Sequence, residues 1–181
     1  CLVGSEMCIR DRFTNVKSGG VILTLLLLAL VSGSVWGQET YQRVTSVSEL
    51  EAEKSFLIVN VDDQGRCIAL SNEQKKNNRG AVAVILANDK ITLEQNSMAC
   101  QLVLKGSSSV GWSFYDEVNG GYLYAASSSG NYLKTQSTLD DDGRADIRFE
   151  ANIATITFKG TNKRNVMQYN PCLLYTSPSP R

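Results

Sequence analysis

From about residue 40 onward, apolar and polar positions alternate in short runs cut by turn residues. Residues 112–135, WSFYDEVNGGYLYAASSSGNYLKT, carry the pattern most clearly. Three apolar-aromatic runs are separated by Asn-Gly-Gly and by Ser-Ser-Ser-Gly-Asn. Each run has the period of two that a strand needs, and each break is turn chemistry. Trp112 and Phe114 fall on one strand face. Tyr122 and Tyr124 share a face, and Leu123 and Ala125 share the opposite one.

The same reading extends along the chain. Strands are predicted at 40–47, 55–61, 66–72, 81–87, 91–94, 100–104, 145–150 and 153–158, with another beginning at 166–170. The run 81–87 (AVAVILA) is nearly all apolar and is expected to be central, buried on both faces. Residues 48–51 (SELE) predict one helical turn or a tight connection rather than a helix. Residues 73–80 (EQKKNNRG) predict a polar loop. Such spacing, roughly 8–12 residues per strand, predicts an all-β fold: an antiparallel barrel or sandwich of about ten short strands. A Gly followed by an aromatic-apolar strand recurs at Gly65, Gly120 and Gly130. That echo keeps a β-trefoil-like set of hairpin repeats as the alternative.

Both ends change the picture. The last ten residues, CLLYTSPSPR, can be encoded by an oligonucleotide whose opposite strand, one base out of register, encodes residues 2–11, LVGSEMCIRD. That is the signature of a translated sequencing-library adapter. Residues 1–12 and 172–181 are therefore set apart from fold reasoning. Residues 21–31 (VILTLLLLALV) have the length of a secretory h-region and fall short of the ~20 apolar residues of a membrane span. Residues 13–37 read as a signal peptide lacking its start, with cleavage after Gly37, so the product is expected to be secreted or held at the cell surface. Residues 38–171 are then expected to form a single all-β domain, incomplete at its end.

Composition narrows the function classes. Without the two adapter ends the chain keeps 15 Lys+Arg against 16 Asp+Glu, a net charge of −1. No basic block offers a footprint for nucleic acid. The chain has no His, which removes the commonest general base and the commonest transition-metal ligand. Cys67 and Cys100 remain. Two readings of them stand: a disulfide formed in an oxidising exterior, or two buried thiols acting as small hydrophobes.

Tyr122–Thr135 region residues YLYAASSSGNYLKT, the preceding WSFYDEVNGG, the loop NNRGAVAV at 77–84 and RNVMQYN at 164–170 resemble an uncharacterised β-domain of secreted, often multidomain bacterial proteins. The resemblance spans most of residues 41–171. It implies an accessory domain beside hydrolase, nuclease or immunoglobulin-like modules, and a chain continuing past RNxxxYN through another strand or two. It also implies a Gly where this sequence has Glu53.

Candidate chemistry lies mainly in the aromatics. Trp112, Tyr115, Tyr122, Tyr124 and Tyr132 suit the apolar face of a sugar ring, with Asn119, Asn131 and Lys134 as polar readers. The competing reading places these aromatics in the core and in cross-strand pairs. Asp140, Asp141, Asp142 and Asp146 crowd Gly143 without the spacing of a calcium loop, and read as a solvated turn. Asp116 and Glu117 could join another carboxylate as a glycosidase-type pair. Lys75, Lys76 and Arg79 read as a solvated basic loop. The expectation is a non-catalytic binding module with no cofactor, no metal and no nucleic-acid partner. Carbohydrate is the first ligand class. Structural or adhesin-like interaction without a small ligand is the alternative, and a carboxylate hydrolase a third.

Overall fold

A computed structural model describes residues 39–62 and 64–169, together with the backbone path of residues 5–10. The signal-peptide and C-terminal adapter readings lie outside the described residues. In chain order the strands are β1 (Ser5–Arg10), β2 (Glu39–Val44), β3 (Ser55–Val61), β4 (Cys67–Gln74), β5 (Arg79–Val84), β6 (Leu86–Ala87) and β7 (Lys90–Leu93). They continue as β8 (Leu102–Ser107), β9 (Gly111–Asp116), β10 (Gly121–Ala125), β11 (Leu133–Gln136), β12 (Ala145–Glu150) and β13 (Ile153–Phe158). No helix among the described residues is long and apolar enough to cross a membrane.

The all-β expectation holds in its barrel form. Seven strands make a nearly closed, barrel-like antiparallel sheet, with a further small sheet beside it. The path runs β3, β8, β9, β12, β13 and β1, and β1 pairs back to β3. From β3 the sheet also branches to β4 and then β5, and from β1 to β2, β7 and β6. The β10–β11 hairpin branches from β9.

Turn chemistry does what the sequence asks of it. Asn88 and Asp89, with φ of 52° and 58°, close the β6–β7 hairpin in the left-handed region that Asn and Asp tolerate. Gly106 and Gly111 flank the β8–β9 turn at φ of 93° and 96°, where a β-carbon is strained.

One strand explains the core. β3 reads SFLIVNV, and its residues from Phe56 to Asn60 are all buried. Phe56 and Ile58 point into a cluster with Leu102, Leu104, Phe114, Leu123, Ile156 and Phe158 inside the barrel. Leu57 and Val59 point the other way, into a second cluster with Tyr41, Ala69, Ile91 and Leu93. So β3 is the wall between two cores. Residues 81–87 do not have the central place expected of them. They split into the end of β5 and all of β6, Ala83 is exposed, and Ile85 is 82% exposed at the jog between the strands. An apolar run does not by itself say which strand is covered on both sides.

Short connections also differ from expectation. The predicted helical turn is a 3-10 turn at Val47–Glu49, held by Glu49, whose Oε1 accepts from Ser46 Oγ (2.7 Å) and Thr45 Oγ1 (3.0 Å). β4 runs two residues further than expected, to Gln74, and β5 starts at Arg79, so the polar loop shrinks to 75–78.

Candidate functional site

Two groupings of side chains stand out, one outside the barrel and one buried. The outer one grows from strand alternation. On β9 and β10, Trp112, Phe114, Leu123 and Ala125 turn inward, so Tyr115, Tyr122 and Tyr124 turn outward. Register then brings them together: Tyr115 is opposite Tyr122, Tyr122 is opposite Gln136, and Tyr124 is opposite Lys134. The Tyr115 and Tyr122 rings meet edge to face with centroids 5.0 Å apart. Lys105 Nζ on β8 sits 5.0 Å from the Tyr115 centroid, and Lys134 Nζ sits 5.6 Å from that of Tyr132. All four tyrosines are half-buried, so each keeps part of its ring in solvent. The result is a group of rings on β9 and β10, with Lys105 of β8 over one of them and Lys134 of β11 opposite Tyr124.

The remaining predicted residues are placed elsewhere. Trp112 is 6% exposed and belongs to the inner core, so it offers no ring to a ligand on this face. Asn131 is exposed, and its Oδ1 accepts from Arg164 Nη1 at 2.7 Å. The Asn119 amide donates to Asp116 Oδ2 (2.8 Å) and to the Asn72 carbonyl (3.0 Å), which holds the β9–β10 turn. Lys105 escaped the sequence reading. Its signal was there: Leu102 and Leu104 alternate inward, which puts Lys105 on the tyrosine side.

The buried grouping centres on Arg79 and Asp116. Arg79 Nη1 and Asp116 Oδ2 are 2.6 Å apart, and neither side chain has any exposed surface. This corrects the reading of Arg79 as part of a solvated loop. It also commits the Asp116 carboxylate to Arg79, while Glu117 is exposed. Every arm of the guanidinium is used. Nη1 donates to Thr135 Oγ1 (2.9 Å), Nε and Nη2 donate to the Ser71 carbonyl (3.3 and 3.0 Å), and Nη2 donates to Cys100 Sγ (3.4 Å). Asp116 Oδ1 accepts the Asn119 backbone N–H at 3.0 Å. Burial pulls the Asp116 carboxyl upward. The Asn119 backbone N–H, the hydrogen bonds from Arg79 and the Asn119 amide, and the Arg79 charge outweigh it, holding the group below its ordinary value. The network ties β4, β5, β9 and β11 to one another.

Cys100 lies in this network. Burial, and after it the Asp116 charge, pushes its thiol up to about 12, against the pull of Arg79. A thiol so raised is not a nucleophile at neutral pH. Cys67 and Cys100 are both buried, in different clusters, and are not bridged to each other. Cys67 begins β4, and the Cys100 N–H donates to the Leu70 carbonyl of the same strand at 2.7 Å.

The aspartate-rich segment forms a turn. Asp140 Oδ1 accepts from Gln136 Nε2 (2.7 Å) and from the Gly143 N–H (3.2 Å), while Asp141 and Asp146 approach Arg144 and Lys159 at 3.9 Å. Among the described residues, no group of three or more metal-ligating side chains is gathered. No family model, no curated protein and no solved structure matches this chain.

Proposed function

We propose that residues 38–171 form a non-catalytic binding module of an exported protein, and that its ligand is carbohydrate held on the outer face of β9, β10 and β11. The observation that carries this reading is the row Tyr115, Tyr122 and Tyr124, turned away from both cores while Leu123 and Ala125 fill the inner side. A tyrosine ring stacks on the apolar face of a pyranose, and its hydroxyl reads a neighbouring hydroxyl. Lys134 lies opposite Tyr124, within reach of an acidic or hydroxylated substituent. Trp112 and Asn119, engaged inside the fold, have no part in this binding, and Asn131 stands at its margin. The h-region at 21–31 supports export and a place outside the cell.

The test is a glycan array followed by titration calorimetry. A sugar should bind, and Tyr122→Ala and Tyr124→Ala should each weaken it about tenfold, the loss of roughly 1.4 kcal/mol of stacking. Lys90→Ala, exposed on β7 and paired with β2 and β6 rather than with β9–β11, should bind as the parent does. Absence of any sugar ligand, or tyrosine variants with unchanged affinity, overturns the reading and leaves the domain as a spacer or adhesin-like module.

A further inference from the structure

Three loop segments meet beside the tyrosine face. Residues 75–78 (KKNN) join β4 to β5, residues 126–132 (ASSSGNY) lead from β10 into β11, and residues 160–165 (GTNKRN) follow β13. Hydrogen bonds tie them to one another. The Leu133 N–H donates to the Asn77 carbonyl at 3.0 Å. Ser128 Oγ donates to Asn162 Oδ1 at 2.9 Å and accepts the Lys163 N–H at 3.2 Å. Asn162 Nδ2 donates to the Ala125 carbonyl at 2.8 Å, and Arg164 Nη1 donates to Asn131 Oδ1 at 2.7 Å. Lys134, which stands opposite Tyr124, lies over the Tyr132 ring at this same corner.

The charge of the corner is one-sided. None of the three segments contains Asp or Glu. They bring Lys76, Lys163 and Arg164, all exposed, beside the half-buried Lys134, and among the described residues none of these cations pairs with a carboxylate. β10 and β11 contain no acid, and Asp116 of β9 is buried against Arg79. The acids that do lie close are engaged or covered. Glu73 approaches Lys75 at 3.8 Å, Asp140 accepts from Gln136 at the far end of β11, and Asp142 has its Oδ1 buried. Set against Lys75, Lys76, Lys134, Lys163 and Arg164, they leave the corner positive. Cations gathered in this way repel one another, and an anion seated among them relieves that repulsion and accepts charge-assisted hydrogen bonds.

We propose that the sugar held on the outer face of β9, β10 and β11 is acidic, with its carboxylate or sulfate taken by Lys134 and Arg164 while a ring lies on Tyr124. The assignment rests on the carbohydrate reading of that face and adds the charge of the ligand to it. The hydrogen bond to Asn131 fixes the Arg164 guanidinium, and Lys76 and Lys163 extend the positive field that draws an anion in. Lys105 has no such role, because Glu53 already approaches it at 3.9 Å.

The test is an array of matched pairs: uronic-acid oligosaccharides beside their carboxyl-reduced forms, and sulfated oligosaccharides beside their desulfated forms. An acidic member should bind, and its neutral partner should bind about tenfold more weakly, the loss of one hydrogen bond to a charged group. The pair that responds tells carboxylate from sulfate. In titration calorimetry with that pair, Lys134→Ala and Arg164→Ala should each erase most of the preference, and raising salt from about 0.05 M to about 0.5 M should shrink it. Lys90→Ala removes the same charge from β7 and should leave the preference intact, whereas Tyr124→Ala should weaken acidic and neutral members alike. Equal binding of acidic and neutral members, or a preference that survives both cation substitutions, overturns the charge assignment; if the tyrosine variants still bind weakly, the carbohydrate reading stands without it. No binding by any sugar, or tyrosine variants with unchanged affinity, overturns both.

Discussion

Glu53 is held at φ 63°, in the left-handed region, with its N–H donating to the Leu104 carbonyl at 2.7 Å. Its side chain is exposed and reaches Lys105 Nζ only at 3.9 Å, a pairing worth little. Glu53→Gly should therefore stabilise the fold by about 0.5–1 kcal/mol, the left-handed strain less the extra entropy of Gly; urea unfolding would show the rise. The resemblance had implied Gly at this position, and the backbone gives the physical reason. The Arg79–Asp116 pair was less legible. Trp112 and Phe114 were recognised as sharing a face, and Asp116 has the same parity, but alternation alone names no partner 37 residues away. Asp116→Asn leaves the Arg79 charge buried without its counter-ion and should cost about 3–5 kcal/mol. The parent should also lose stability in acid. The depressed Asp116 carboxyl contributes fully above its unfolded pKa, about 4, and that contribution fades as pH falls through the lower folded value. In the Asn variant this part of the acid slope should vanish from unfolding curves taken between pH 7 and pH 3. Cys100, pushed up to about 12, should resist iodoacetamide at pH 8 in the folded protein and react once it is denatured.

At the scale of elements, runs bounded by strong turn chemistry were read well. Residues 55–61, 145–150 and 153–158 coincide with β3, β12 and β13. The misreadings arose where burial, not pattern, decides. AVAVILA reads as a central strand because it is apolar, whereas SFLIVNV, broken by an Asn, is the strand covered on both faces. Asn60 is buried there even though its side chain is polar. The β8–β9 hairpin tests how tightly elements are joined. A β-carbon on Gly106 would collide with the Gly111 carbonyl oxygen, and its φ of 93° is unfavourable for any other L-residue. Gly106→Ala should therefore destabilise by about 1–3 kcal/mol, measured against Gly65→Ala, which is strained at φ 74° but meets no atom.

For the whole molecule, the class of fold follows from local signals, because regular short runs and Gly/Asn/Asp turns are written in adjacent residues. Closure does not, because it depends on pairings between distant parts of the chain that no periodicity encodes. The tyrosine face lies between these cases: alternation put Tyr122 and Tyr124 together, but only register could bring Tyr115 and Lys134 beside them and leave Trp112 inside. Since β3 lines both cores, neither should melt alone. Leu57→Ala, in one cluster, and Ile58→Ala, in the other, should each cost about 2–5 kcal/mol and lower a single transition. Far-UV circular dichroism and hydrogen exchange in β7 should report the same midpoint; two separate midpoints would show that the cores unfold independently.

The inward turn of Trp112 has a practical consequence. From Gln38 onward it is the only tryptophan in the sequence, and its indole is buried in the barrel interior. Its emission is then a built-in optical gauge of that interior, blue while the barrel is intact and red when water enters. Because that indole sits on the far side of the sheet from the tyrosine row, a sugar bound as proposed should leave its colour unchanged, so one cuvette separates occupancy of the outer face from loss of the fold.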